Sequence, residues 1–187
     1  IQTFIFFYIE IDRLTGHLIK IAPGLDRSFA AQRWSTLPSG LWLDAAQEAQ
    51  DKEFHGAYDI WGGDIDPAAV ELARHNASLA GVEDCVRFEV ADAGKFHRSS
   101  EYGQLVTNPP YGERLLEKKE AEALYRAFGE AYRTLPPKWR VVVLSSHTEF
   151  ERCFGRPAGK KRKLYNGMLK CDAFFYHGGA KTEPDKG

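Results

Sequence analysis

The segment that constrains this chain most is Asn108-Pro109-Pro110-Tyr111, which follows directly on the β-forming run Gln104-Leu105-Val106-Thr107. Two consecutive prolines have no N–H to donate and cannot extend a ladder, so a strand reaching them must stop. Its last polar side chain, Asn108, then stands at the carboxyl edge of the sheet, where open α/β sheets bind ligands. The plainer alternative is a Pro-rich loop that merely ends a strand. Asn, two prolines and an aromatic together, just after a β-like run, favour a site.

These residue types suit an amino group carried on an aromatic ring. The lone pair of such a nitrogen is delocalised into the ring, which makes it a poor nucleophile. An Asn side-chain oxygen and a nearby backbone carbonyl can accept its two N–H bonds, favouring a more pyramidal nitrogen with its lone pair free to attack. Pro109 fixes the backbone so that its carbonyl can point inward. Tyr111 offers a flat face for a base removed from its stack. Asn108, Pro109, Pro110 and Tyr111 are therefore the candidate catalytic residues.

The rest of the chain supplies a sheet for this strand. Residues 1–11 are β-branched and aromatic, as in a buried strand. Leu14 and Leu18 fit one helix face, against which Gly16 argues. Residues 25–40 read as a structured loop anchored by Phe29 and Trp34, and 41–54 as a surface helix. A short strand over 58–64 ends in an acid. Asp66 as N-cap and Pro67 in the first turn then open a helix that reaches Ala80, with Gly81 at C′. Ala69, Leu72, Ala73, Leu79 and Ala80 are its expected buried stripe.

A strand over 86–90 follows. A helix over 117–135 carries Ala121, Leu124, Tyr125, Phe128 and Tyr132 on one side. The apolar run 141–144 suits a strand buried on both faces, and 149–154 a short helix. Asn166-Gly167 between two β-like runs is a hairpin signal, and 178–187 reads as a disordered tail. Strand–helix alternation implies an α/β fold with a mostly parallel sheet and helices on both faces. The hairpin adds an antiparallel strand at one side. The chain reads as one domain over residues 1–177.

Asp64, Asp92 and Asn108 each close a successive expected strand, so a parallel sheet would bring all three to one edge. A carboxylate at the second strand's end commonly grips ribose hydroxyls in nucleoside-binding α/β folds, which suits Asp64. Asp92 can accept from an adenine amino group, or be a plain turn residue. Asp66 is better explained as a cap. Arg156, Lys160, Lys161, Arg162 and Lys163 crowd the approach to the hairpin and suit nucleic-acid phosphates or, more plainly, a solvated loop. Arg114, just after the motif, is a further phosphate candidate.

Bulk properties narrow the field. The formal net charge is −1, so nucleic-acid binding must come from a local patch. Three cysteines without a C-x-x-C pair argue against a disulfide framework or a zinc site and suit a reducing cytoplasm. The six histidines show no metal spacing, and the G-x-S-x-G elbow of a Ser–His hydrolase is missing. No run is long enough to span a membrane, and the apolar opening lacks the marks of a signal peptide.

Four segments together resemble the THUMP-associated bacterial 23S rRNA guanine-N2 methyltransferases, often labelled predicted N6-adenine-specific DNA methylases. They are Ile21-Ala22-Pro23-Gly24-Leu25, Gly63-Asp64-Ile65-Asp66-Pro67, Asn108-Pro109-Pro110-Tyr111-Gly112-Glu113-Arg114 and Lys163-Leu164-Tyr165-Asn166-Gly167. The resemblance covers about residues 21–177. It implies a Rossmann-like methyltransferase fold, S-adenosylmethionine as methyl donor, and the exocyclic amine of a guanine in ribosomal RNA as acceptor. By the same resemblance Asp64, with Ile65, holds the cofactor ribose; Asp92, with Ala93, holds its adenine. Asn108 to Tyr111 hold the target amine, with Asn108 also bordering the cofactor. Among the basic residues, Arg114, Lys161 and Arg162 are the candidate RNA contacts, with a surface ion pair as the plainer role of Arg114. The family's Gly-rich first-strand loop has no counterpart, because no G-x-G precedes Gly24. Residues 1–20 are thus expected to form an atypical or truncated first strand, and no THUMP domain is recognised. Adenine in DNA or a glutamine amide in protein are alternative acceptors, and a non-catalytic RNA-binding remnant is the alternative of another class.

Overall fold

The computed structural model describes residues 2–6, 22, 24–25, 27–38, 40–53, 59–111 and 118–178. Seven strands form one sheet: β1 (Gln2–Phe6), β2 (Ile60–Asp64), β3 (Val86–Val90), β4 (Tyr102–Thr107), β5 (Lys138–Ser145), β6 (Lys160–Asn166) and β7 (Leu169–His177). Their order is β3-β2-β1-β4-β5-β7-β6. Strands β1 to β5 run parallel, and β7 lies antiparallel to both β5 and β6. The strand expected within residues 1–11 is β1, at the centre of the sheet. The order runs outward from β1 through β2 to β3, then restarts on its other side with β4. The carboxyl ends of β1 and β4 therefore flank the topological switch point, where a crevice opens in such sheets. Residues 12–21, including the Leu14/Leu18 helix face, lie outside the described residues.

The helices are α1 (Leu41–Asp51), α2 (Pro67–Leu79), α3 (Lys118–Arg133) and α4 (Phe150–Phe154). None is long and apolar enough to cross a membrane, among the described residues. Both ends of α2 are as the sequence implies. Asp66 caps it by accepting from Ala68 N–H at 2.9 Å, with Pro67 in the first turn. At the other end Gly81 has φ 67°, and Gly81 N–H and Val82 N–H bond back to the carbonyls of Ser78 and Ala77. This paired closure satisfies two otherwise orphaned carbonyls.

The buried stripe of α2 differs from expectation. It consists of Ala69, Val70, Ala73 and Ala77, whereas Leu72 and Leu79 are exposed. At about 100° of rotation per residue, Leu72 and Leu79 lie some 60–80° round the helix from Ala69, on the flank away from Val70. The small-residue face lets the helix sit close on the sheet, which leaves the leucines outside. Trp34, expected as a loop anchor, is 62% exposed, while Phe29 stacks on Trp42 of α1 at 5.6 Å.

The sheet is covered on two faces by different helices. Ile60 of β2 packs with Ala73 of α2, while its neighbour Trp61, pointing the other way, packs with the cluster under α3 and α4. That larger cluster joins Leu105, Val141, Val143, Phe174 and Tyr176 of the sheet to Tyr125, Phe128 and Tyr132 of α3 and Phe150 and Phe154 of α4. Burial alternates along β5: Val141 and Val143 are buried, but Val142 and Leu144 only half so. The strand is thus not buried on both faces, because α3 and α4 cover just one of them.

The terminal hairpin forms, with a shifted turn. Asn166 pairs with Leu169, so the central residues are Gly167, at φ 62°, and Met168, rather than Asn166 and Gly167. Glycine in the first central position is a favoured two-residue hairpin chemistry. Gly178 is held: Tyr132 Oη and Arg156 Nη1 donate to its carbonyl. The remaining residues of the expected tail, 179–187, lie outside the described residues.

Candidate active site

Four sequence-derived residues meet at the ends of β2 and β3. Asp64 is the last residue of β2, and its carbonyl accepts from Ala91 N–H at 2.8 Å, fixing the spacing of the two strand ends. Its Oδ1 accepts from Asp66 N–H at 2.9 Å, which orients the carboxylate and leaves Oδ2 without a hydrogen bond among the described residues. Ile65 follows as a large apolar side chain 69% exposed. Asp92 lies two residues beyond β3, where its Oδ1 accepts from Gly94 N–H at 2.8 Å and its Oδ2 is 3.7 Å from Lys95 Nζ. It starts the 3-10 turn Ala93–Lys95, so the plain turn role is real, and that turn packs against α3.

Across β1, the motif Asn108 to Tyr111 leaves the end of β4 with all four residues half-buried. The Tyr111 hydroxyl donates to Asn108 Oδ1. Cys171 Sγ of β7 lies 3.8 Å from the same hydroxyl. Tyr125 of α3 donates its hydroxyl to the Pro110 carbonyl at 2.6 Å. The loop is thus pinned from within by Tyr111 and from beneath by Tyr125. Burial raises the Tyr125 phenol above its ordinary value, which keeps the donating proton in place.

The basic candidates are not gathered at this loop. Arg114 lies outside the described residues. Lys161 and Arg162 are on β6, the sheet edge three strands from β4, or about 14 Å at the usual strand spacing. Lys161 Nζ bonds Glu151 Oε2 at 2.7 Å, so its charge is partly engaged. Arg156, grouped with them in the sequence, turns inward to Tyr132 Oη and the Gly178 carbonyl.

The donor set fits an adenosine-bearing cofactor such as S-adenosylmethionine. A ribose needs acceptors for two hydroxyl donors, an adenine an acceptor and an apolar face. Asp64 presents an unengaged carboxylate oxygen beside the exposed Ile65, and Asp92 and Ala93 stand on the adjoining strand end.

Comparison with known proteins gives the family. The family described as UPF0020, RMKL-like methyltransferase domain, matches residues 16–174. The chain belongs to that family. YpsC of Bacillus subtilis (strain 168), named as a candidate RNA methyltransferase, is 39% identical over 168 residues, which are 89% of this chain and 43% of YpsC. Ribosomal RNA large subunit methyltransferase K/L of Shewanella baltica (strain OS185) is 37% identical over 161 residues, 83% of this chain and 23% of the relative. The crystal structure of SMU.472, a candidate methyltransferase complexed with S-adenosylhomocysteine (SAH), superposes with a TM-score of 0.87 at 36% identity. It covers 95% of this chain and 48% of SMU.472. The RMKL-like domain thus has the Rossmann-like methyltransferase fold, with its C-terminal antiparallel hairpin, and spans less than half the length of these relatives.

Sequence reasoning missed the bond from Tyr125 to the loop. Tyr125 reads as one more core residue on the α3 stripe, and the available signal was its polar tip.

Proposed function

We propose that this RMKL-like domain transfers a methyl group from S-adenosylmethionine to the exocyclic amine of a guanine in 23S rRNA. In this reading residues 1–177, with the held Gly178, belong to the methyltransferase domain, and the protein works in the cytoplasm on ribosomal RNA. The observation that carries the proposal is the alignment of Asp64, Asp92 and Asn108 along one edge of the parallel strands β3-β2-β1-β4, with Asn108 at the switch point. The names of the relatives, which speak of RNA and of ribosomal RNA, favour RNA over DNA or a protein amide.

The donor, when bound, supplies a methyl group made electrophilic by a sulfonium sulfur. Asp64 accepts from the ribose hydroxyls beside Ile65. Asp92, with Ala93, accepts from the adenine amino group. Asn108 Oδ1 and the Pro109 carbonyl take the two N–H bonds of the target amine, which localises its lone pair toward the donor. Tyr111 stacks on the extruded base and Pro110 keeps the loop stiff. Arg114, Lys161 and Arg162 hold RNA phosphates outside the crevice.

The test begins with calorimetric titration of SAH into this chain, then transfer of labelled methyl to unmodified 23S rRNA and to duplex DNA. Saturable SAH binding and rRNA labelling are expected. Asn108→Ala should abolish labelling while sparing SAH binding. Labelling of DNA but not rRNA overturns the acceptor assignment, and RNA binding without SAH binding makes the chain a non-catalytic remnant.

A further inference from the structure

The geometry points to Tyr125 as the positioning residue of the Asn108-to-Tyr111 loop, acting through the hydrogen bond that its hydroxyl donates to the Pro110 carbonyl. The inference rests on the reading of that loop as the amine-binding element. The Tyr125 hydroxyl donates to the Pro110 carbonyl at 2.6 Å.

The loop needs an external fastening of this kind. Pro109 and Pro110 have no N–H, so carbonyls are the backbone handles these two positions retain. Tyr125 is well built to hold one. It is 0% exposed, and its ring is gripped edge-on by Phe150 at 5.0 Å and His147 at 5.5 Å. The hydroxyl is therefore a fixed point, two residues from Asn108 along the loop. A phenylalanine would fill the same place on the α3 stripe, so packing does not account for the hydroxyl. The plainer account is a buried tyrosine that has simply found a partner. The two accounts differ in what losing the hydroxyl does to Asn108.

Tyr125→Phe decides between them, read with SAH titration, rRNA methylation and the Asn108 side-chain amide resonances of the 15N-labelled chain. The variant is expected to fold and to bind SAH as the wild type does. It should shift and broaden the Asn108 amide pair. Tyr125→Phe should lower kcat by ~10–100-fold, with KM for RNA changed by less than about twofold, as a displaced reacting group requires. An unmoved Asn108 amide pair in Tyr125→Phe overturns the inference, and so does an unchanged kcat. If the wild type binds SAH but methylates no rRNA, the acceptor assignment fails, and the resonance measurement still decides the role of Tyr125.

Discussion

The Tyr111 hydroxyl donates to Asn108 Oδ1, so the acceptor proposed for a substrate amine already carries a hydrogen bond from its own loop. An incoming N–H must share that oxygen with it. A net hydrogen bond of this kind is worth about 0.5–1.5 kcal/mol. Tyr111→Phe removes the competitor and keeps the ring, so KM for acceptor RNA should fall by about 2–10-fold with kcat largely kept. Tyr111→Ala removes the ring as well and loses stacking worth about 1–3 kcal/mol, so KM should rise. Steady-state kinetics on one rRNA fragment separate the two. Equal rises in KM for both variants would sink the competition argument.

Where the strand ends of the candidate site lie was legible in the sequence because chain-breaking chemistry fixes them. Pro109-Pro110 cannot pair, and Asp66-Pro67 begins a helix, so the ends of β4 and β2 were bounded by local sterics alone. What joins the loop to the core was not legible. The Tyr125-to-Pro110 bond spans 15 residues, and the intervening 112–117 carry no periodic pattern that would set the phase of α3 against the loop. The hairpin turn slipped by one residue because Asn166-Gly167 and Gly167-Met168 are both acceptable turns. Pairing along β6 and β7 chose between them.

Packing between α3 and α4 makes a stability prediction whose sign opposes helix propensity. A Cβ on Gly129 would lie 2.1 Å from the Phe154 carbonyl oxygen and 2.9 Å from its carbon. These are backbone atoms and cannot swing aside. Alanine is better than glycine in a helix by about 1 kcal/mol, but overpacking typically costs about 1–3 kcal/mol and more where backbone must move. Gly129→Ala should therefore destabilise the domain by about 2 kcal/mol, seen as a lower urea midpoint at constant slope. A rise in midpoint would show that α4 is free to recede.

Three buried phenols set the alkaline limit. Burial is the largest cause raising Tyr125, Tyr132 and Tyr176 above the ordinary value of 10.0. A group raised in the folded state keeps its proton there after the unfolded chain has lost its own. Its contribution is full below pH 10.0 and is lost as pH climbs toward the folded value. Stability should hold from pH 7 to 9 and fall steeply above pH 10.0, with the urea midpoint dropping as unfolded-state tyrosines ionise. Tyr176→Phe should flatten that fall while lowering the plateau, since its hydroxyl bonds the Arg156 carbonyl at 3.4 Å. An unchanged alkaline slope in Tyr176→Phe would assign the transition to other groups.

The cations of β6 admit two roles that salt dependence separates. Lysines on an edge strand discourage unwanted sheet pairing, and β6 is an edge. The same side chains can neutralise RNA phosphates, each contributing about 0.7–0.9 to the slope of log affinity against log salt. Arg162 and Lys163 form no ion pair among the described residues, whereas Lys161 is bonded to Glu151. Burial acts to raise the Glu151 carboxyl, but the bonds from Lys161 and Ala158 N–H hold it below the ordinary range. Arg162→Ala and Lys163→Ala should each lower the slope by close to that amount, and Lys161→Ala by clearly less. Glu151→Gln should strengthen RNA binding by releasing Lys161. Anisotropy titrations of a labelled rRNA fragment at several salt concentrations give all four slopes. If Arg162→Ala and Lys163→Ala leave the slope intact and raise self-association instead, the charges guard the sheet edge and RNA is held elsewhere.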